Sequence, residues 1–311
     1  MSLPIGSDAD HVPGTRPDGS TRAPATGLSR AGTAAGAAAR ALLSPRGVAG
    51  VAVEAAWNAA HLAVYPLGLL RDHHRDPEGY RLDGLGPAQR GLLVGDVEAA
   101  GTPILLLHGM VDNRSIFSLL RRGLRRKGFG RVLTRNYSPV TNDVRAAARD
   151  LADEVEQICA RTGYERVHVI GHSLGGLIAR YYVQRLGGDA RVHPLVTMAP
   201  PHSGPHVARL VSTELTRQLR PGSDLVRELD EPTDRCRTRF IAYWSDLDQM
   251  VVPQRNGRLT HPDLQVRNHL VRGAGHMSLP VSSRLVHEIS SALCRLDSDG
   301  SVAEHGVTTL H

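Results

Sequence analysis

One segment, residues 165–186, constrains the fold of this chain more than any other. A β-branched run over residues 167–170 leads into the sequence Gly-His-Ser-Leu-Gly at residues 171–175, and an apolar helical stretch follows at once. A strand-to-helix turn this sharp holds its serine in a strained conformation, and glycines two residues to either side let neighbouring backbones pass. The pattern predicts a strand, a tight turn and a helix, with Ser173 projecting from the strand end as a candidate nucleophile.

Apolar runs of strand length alternate with helical periods from about residue 91 onward. The clearest helical period places Val144, Ala148, Leu151, Val155 and Ile158 on one face. Alternation of this kind predicts an α/β fold with a mostly parallel sheet and helices on both faces. The predicted strands are residues 91–97, 103–107, 131–137, 166–171, 192–198, 239–244 and 266–272.

Segments of different composition flank this region. Residues 1–40 are rich in Gly, Pro, Ser, Thr and Ala without a sustained apolar period, which predicts a disordered tail. The first residues lack the basic and apolar regions of a cleavable signal peptide. Residues 41–90 are expected to form an apolar or amphipathic helix and a linker, residues 91–296 the catalytic domain, and residues 297–311 a C-terminal tail.

Residues 48–70 are long enough to span a bilayer and carry a single formal charge, Glu54. Two interpretations stay open, a helix packed on the body or lying on a membrane surface, and a true membrane span. The spacing of Glu54, Asn58, His61 and Tyr65 places them on one stripe of a helix, which favours the first. The chain is therefore expected to be cytoplasmic or membrane-associated.

The basic balance of the chain does not by itself indicate nucleic acid. The formal net charge is +6, but nearly all basic residues are arginines and Lys127 is the only lysine. The densest run, residues 121–127, has helical spacing and few aromatic neighbours that could stack on bases. It is interpreted as a solvated helix face, with contact to an anionic surface as the alternative. Nucleic acid is not expected as a partner.

A nucleophilic serine needs a base and a carboxylate that orients it. His276 lies in a glycine-containing loop after the last predicted strand of the domain, where its imidazole can reach the sheet edge. The order serine, acid, histidine places the acid after the strand 239–244, where both Asp246 and Asp248 qualify. Asp248 is favoured because an apolar pair and a proline follow it shortly.

Acyl transfer also needs two N–H donors for the oxyanion of the tetrahedral intermediate. Leu174, the residue after Ser173, supplies one from the start of the predicted helix. The other is expected at Met110, which follows His108-Gly109 directly after the strand 103–107.

These separated segments together resemble the α/β-hydrolase family, specifically bacterial lipases and esterases with a GHSxG elbow and an HG-type oxyanion loop. The resemblance covers about residues 91–296, and residues 199–204 look like the proline-histidine turn of such lipases. It implies carboxylic ester hydrolysis through an acyl-enzyme, without an organic cofactor. Asp246 and Asp263 are too few for a calcium site, so no metal is predicted.

The sequence thus predicts a serine hydrolase for carboxylic, lipid-like esters, with a small-molecule or lipid substrate and a membrane surface as a candidate partner. An acyltransferase with the same triad is one alternative. A catalytically silent membrane-surface binding module is the other. Residues 205–235 form either a lid or an ordinary crossover helix, because five apolar residues there share one helical face: Val207, Leu210, Val211, Leu215 and Leu219.

Overall fold

A seven-stranded, all-parallel sheet forms the centre of the computed structural model, which describes residues 48–49, 52, 54–56, 59, 97–110, 112–136, 142–294 and 307–310. The strands are β1 Ile104–Leu107, β2 Val132–Arg135, β3 Val167–His172, β4 Val192–Met198, β5 Arg239–Ser245, β6 Gln265–Val271 and β7 Val307–Leu310. Their order across the sheet is β2-β1-β3-β4-β5-β6-β7.

Helices cover both faces of this sheet. They are α1 Val97–Gly101, α2 Ser118–Arg126, α3 Val144–Thr162, α4 Leu174–Arg185, α5 Glu214–Gln218, α6 Asp224–Asp230 and α7 Ser283–Cys294. One apolar core lies between the sheet and α3 to α6, and a second lies between the sheet and the pair α2 and α7. The prediction of an α/β fold with a mostly parallel sheet is confirmed.

Strand β1 shows why the sheet needs cover on both sides. All four of its residues are buried. Leu105 and Leu107 belong to the first core, whereas Ile104 and Leu106 belong to the second. Successive side chains of a strand point to opposite faces, so an uninterrupted apolar run suits a strand with helices above and below.

Strand register brings the carboxyl ends of five strands to one edge. Leu107 pairs with Gly171, His172 with Met198, and Ser245 with Val271. The strand order reverses at β1, so the loops after β1 and β3 diverge there. In open parallel sheets, ligands bind in the crevice at such a switch point, outside the carboxyl ends of the strands.

Several sequence expectations need correction or lie outside the described residues. The predicted strand 91–97 is not described except for Val97, which begins helix α1. Residues 307–310, assigned to a C-terminal tail, form β7 and pair in parallel with β6. The expectations for residues 1–40 lie outside the described residues. Within 41–90, the described residues are helical: Val48, Ala49, Ala52, Glu54, Ala55, Ala56 and Ala59.

The prediction of one helical face across residues 207–219 is wrong. The chain forms a 3₁₀ turn at His206–Arg209 and then the short helix α5. Leu215 and Leu219 enter the first core, but Leu210 is 83% exposed and Val211 is 53% exposed. The Thr213 hydroxyl caps α5 by accepting the N–H of Thr216, so a new helix begins at that point.

Candidate active site

The turn between β3 and α4 has the close backbone approaches that its glycines predict. A Cβ atom at Gly171 would lie 2.5 Å from Cα of Gly176, and one at Gly175 would lie 2.4 Å from the carbonyl oxygen of Leu107. Any larger residue at either position would collide with backbone. The two glycines on either side of Ser173 therefore allow the strand, the turn and the neighbouring loop to pack together.

Ser173 occupies a strained backbone position at the start of α4. Its φ is 51° and its ψ is −122°, a conformation that residues with a side chain rarely adopt. The Ser173 N–H donates to the carbonyl of Met198 at 2.8 Å, which fixes the turn against the end of β4. The serine stays partly exposed, and its hydroxyl does not cap its own helix. The hydroxyl is thus available for chemistry.

The loop after β1 packs directly beside this serine. A Cβ at Gly109 would lie 3.1 Å from Cβ of Ser173, so only glycine lets the loop pass so close. The next residue, Met110, is half-buried and packs against the first core. Leu174 begins α4, where the first N–H groups of a helix have no partner within the helix. Both predicted oxyanion donors therefore belong to segments that adjoin Ser173.

Asp248 and His276 form a buried, hydrogen-bonded pair. The Nδ1–H of His276 donates to the two carboxylate oxygens of Asp248 at distances of 3.0 and 2.9 Å. Asp248 is held from the other side, because its Oδ1 accepts the N–H groups of Met250 and Val251, each at 2.8 Å. The carboxylate therefore fixes the tautomer of the imidazole and leaves Nε2 free to accept a proton.

The pairing of His276 with Asp248 shifts the pKa of each side chain. Burial would lower the pKa of His276, but the charge and hydrogen bond of Asp248, together with the charges of Asp112 and Glu54, outweigh it and raise that pKa above 6.5. Burial would raise the pKa of Asp248, but His276 and the two backbone donors lower it below 3.8. Each group thus favours the charged form of the other.

Asp246, the other candidate acid, lies elsewhere. Its carboxylate accepts the N–H of Gly273 at 2.9 Å and lies 3.7 Å from the Arg272 guanidinium. Asp246 therefore closes the turn that precedes the histidine loop, and Asp248 is the carboxylate that contacts the imidazole.

His172, whose part in the site was not predicted, directly precedes Ser173 in the chain and packs against His276. Its ring is fully buried and its centroid is 4.9 Å from that of His276. His172 Nε2 donates to the backbone carbonyl of His276 at 3.1 Å, and Nδ1 lies 3.3 Å from the carboxylate of Asp112. The residue before the serine therefore contacts the histidine loop directly. In the sequence, the position of His172 next to Ser173 in Gly-His-Ser-Leu-Gly is the signal that could have indicated its part in the site.

A buried arginine ties α4 to the segment that follows β4. The Arg180 guanidinium donates to the carbonyls of His202 and Leu229 at 3.0 and 2.9 Å. Burial lowers the pKa of Arg180 to about 10, partly opposed by Asp230. Burial and Arg180 also hold the pKa of His202 well below its usual value, so this imidazole is neutral. The proline-histidine turn thus braces the helix behind Ser173.

Glu54 is a second residue whose part in the site was not predicted. Its carboxylate is buried and accepts hydrogen bonds from the loop of His276. The signal was present in the sequence, since Glu54 is the single formal charge in an apolar stretch of helix length. The sequence does not indicate that Glu54 contacts the loop of His276, because more than 200 residues separate Glu54 from that loop.

The basic run at residues 121–127 and Asp263 belong to other segments of the chain. Arg125 of the basic run is buried, whereas Arg122 and Arg126 are exposed, so the run is not a uniformly solvated face. Asp263 accepts the N–H of Thr233. No group of three or more potential metal ligands occurs within the described residues. Among the helices that the structure describes, none is long and apolar enough to cross a bilayer.

Comparison with known proteins supports the fold assignment. Residues 102–220 match the family model described as alpha/beta hydrolase fold. The lin2722 gene product of Listeria innocua is 17% identical and superposes with a TM-score of 0.50 over 68% of this chain and 98% of its own. The mature lipase BlEst2 of Bacillus licheniformis is 16% identical, with a TM-score of 0.54 over 63% of this chain and 92% of its own.

The family model and the two solved structures agree with the observed parallel sheet and with the resemblance that the sequence motifs indicate. The matched range begins just before β1 and includes the loop after β1, the turn that carries Ser173, and α5. The chain therefore has the α/β-hydrolase fold, with the strained Ser173 and the Asp248–His276 pair at the carboxyl edge of its sheet.

Proposed function

We propose that this protein hydrolyses carboxylic esters through an acyl-enzyme intermediate. The observation that carries the proposal is the buried Asp248–His276 pair on the same sheet edge as the strained, partly exposed Ser173. A serine hydroxyl becomes a good nucleophile when a neutral imidazole accepts its proton, and the carboxylate stabilises the imidazolium that forms. The name lipase that the Bacillus licheniformis neighbour carries is consistent with this chemistry.

The reaction follows from these roles. Ser173 Oγ attacks the acyl carbon while His276 Nε2 takes its proton, and the N–H groups of Met110 and Leu174 bind the oxyanion. The protonated His276 then gives its proton to the leaving alcohol, and the acyl-enzyme forms. Water, activated by the same imidazole, attacks the acyl group and restores Ser173. No metal or organic cofactor takes part in any step.

The rim of the proposed site, meaning the loops that follow β4 and β5 at the carboxyl edge of the sheet, carries exposed apolar side chains, and these favour lipid-like esters as the substrate class. Leu210 and Val211 are exposed. They come shortly after His206, whose N–H donates to the carbonyl of Val252 in the loop after β5. Met250, two residues after Asp248, is 45% exposed. Exposed apolar side chains beside a catalytic edge can bind an acyl chain or rest on a lipid surface.

A chain-length series of nitrophenyl esters, assayed with and without an alcohol acceptor, tests the proposal. Hydrolysis of moderately long acyl esters in preference to acetyl is expected, because longer chains bury more apolar area at the rim. The Ser173→Ala variant supplies the background rate. Transfer to the alcohol in place of release of acid would identify an acyltransferase, and preference for acetyl would identify a small-ester esterase.

The pH profile of kcat/KM is the second expected result. His276 acts as the base only when its imidazole is neutral, so activity is lost as the pH falls through the pKa of this group. Because Asp248 raises that pKa, the midpoint of the acid limb is expected above the ordinary imidazole value of 6.5. A midpoint below 6.5 would mean that the base is not paired with a carboxylate in solution.

A further inference from the structure

The carboxylate of Glu54 binds the loop that carries His276. Its Oε1 accepts the Met277 N–H at 2.6 Å, and its Oε2 accepts the Ser278 N–H at 3.0 Å. Glu54 is only 6% exposed, whereas the alanines at residues 55–56 are exposed. This helical segment therefore turns its acidic residue into the protein and its alanines outward.

Gln249 links the same carboxylate to both the acid and the base. Its Nε2 donates to Oε1 of Glu54 at 2.8 Å, and its Oε1 accepts the N–H of His276 at 3.3 Å. Gln249 directly follows Asp248 in the chain. Glu54 thus holds the loop of the base directly and the loop of the acid through Gln249.

The fit between Glu54 and the histidine loop is close. A Cβ at Gly275 would lie 2.3 Å from both Cδ and Oε2 of Glu54, so the loop leaves room for this carboxylate only because position 275 is glycine. The Ser278 hydroxyl donates to the carbonyl of Gly275 at 3.0 Å and closes the turn. A shift of Glu54 would therefore be transmitted to the residues on both sides of His276.

The chemistry of these contacts indicates more than packing. A buried carboxylate is costly unless donors satisfy it, and charge-assisted hydrogen bonds are about twice as strong as neutral ones. The three donors that Glu54 binds come from Gln249, Met277 and Ser278. All three lie within two residues of Asp248 or His276. An acid with these partners is suited to fixing the two loops relative to each other.

We infer that Glu54 is a positioning residue for the proposed esterase, and that its bonds to Met277, Ser278 and Gln249 hold His276 where its imidazole takes the Ser173 proton. This inference rests on the proposed function. Glu54 touches neither substrate nor nucleophile and acts through the histidine loop. Misplacement of a reacting group by about 1 Å can lower a rate about 100-fold.

The test is Glu54→Gln in the full chain. The amide offers one acceptor where the carboxylate offers two, so its NH₂ must face one of the loop donors. We expect kcat to fall about 100-fold with KM little changed. The acid limb of kcat/KM should also move to lower pH, because the charge of Glu54 contributes to the raised pKa of His276. Loss of packing that leaves the Asp248–His276 pair in place would not move this limb.

Three further measurements make the test decisive. Ala55→Gln places the same side chain on the exposed neighbour and should keep the wild-type kcat. Glu54→Asp keeps the charge and should keep the wild-type acid limb even where kcat falls. Hydrogen exchange of the Met277 and Ser278 amides should become faster in Glu54→Gln, and this readout does not depend on activity.

The outcomes separate the inference from the proposed function. An active wild type together with a folded Glu54→Gln protein of unchanged kcat, acid limb and amide exchange would overturn the role of Glu54. A wild type without esterase activity or fluorophosphonate labelling would instead overturn the proposed function. If Glu54→Gln does not fold, Glu54→Asp decides the matter, because its side chain is one methylene too short to reach all three donors. A lower kcat and faster exchange of the Met277 and Ser278 amides would then support the role of Glu54, and wild-type values of both would overturn it.

Discussion

Replacing Ser173 with alanine is expected to abolish covalent labelling of the protein by a fluorophosphonate and to leave the fold intact. Only a serine activated by an imidazole reacts quickly with such a phosphoryl electrophile. The hydroxyl makes no helix-capping bond in this structure, so its loss removes no contact of that kind. Labelling can be followed by intact mass, and folding by circular dichroism and thermal unfolding.

The control for this experiment is a serine outside the site. Ser118 is exposed, and its hydroxyl donates to the carbonyl of Ser115 at 2.7 Å, so Ser118→Ala should label like the wild type. Undiminished labelling of the Ser173→Ala variant would place the nucleophile elsewhere and reject the proposed mechanism.

Replacing Asp248 with asparagine is expected to lower kcat by about 10⁴-fold. In the variant, the amide oxygen can still accept the N–H groups of Met250 and Val251, so the NH₂ group faces Nδ1 of His276. Nδ1 must then be the acceptor, and the proton moves to Nε2. An imidazole in this tautomer cannot take the proton of Ser173. Steady-state kinetics on the preferred nitrophenyl ester measure the loss.

Asp246→Asn is the matched control two residues away. The Asp246 carboxylate accepts the N–H of Gly273, and an asparagine oxygen can accept the same bond, so its loss of kcat should be far smaller. A larger loss in Asp246→Asn than in Asp248→Asn would assign the acid to Asp246 and contradict the pairing in this structure.

The elbow around Ser173 could be predicted because its signal is local. The β-branched run, the two glycines and the apolar helix all lie within residues 165–186, and the backbone distances at Gly171 and Gly175 explain why those positions are glycine. The positions of β1 to β6 were predictable for a similar reason, whereas β7 was assigned to a tail. A strand that is buried on both faces is an uninterrupted apolar run, as in β1.

The choice between Asp246 and Asp248 depended on a weaker local signal, the apolar pair and the proline that follow Asp248. Both residues follow β5 in the same loop, and either side chain could have pointed at the histidine. In the structure the two aspartates have different partners. The backbone N–H groups of Met250 and Val251 donate to the Asp248 carboxylate and hold it toward His276. That turn depends on backbone angles that the residue types alone do not fix.

The prediction of one helical face across residues 207–219 failed because helical spacing alone does not show where a helix is interrupted. The apolar positions of this segment have helical spacing, but Gly204 adopts a left-handed φ of 74° and Thr213 caps a new short helix, so no continuous helix forms. The prediction of a single helical face was therefore wrong, whereas a lid role for the exposed part of this segment stays a prediction. Leu215 and Leu219 pack in the core, and Leu210 and Val211 remain outside it.

The contacts of the His276 loop also determine when during synthesis the site can be completed. Glu54 and Ser278 are 224 residues apart, and β7 pairs with β6 immediately before this loop, where Leu310 lies opposite Val271. Translation proceeds from the N-terminus, so Glu54 and Ser173 leave the ribosome long before Asp248, His276 and β7. A nascent chain that already carries Ser173 and Glu54 still lacks Asp248, His276 and the strand that pairs beside the His276 loop. The proposed esterase activity should therefore appear only after His276 and β7 have been released from the ribosome.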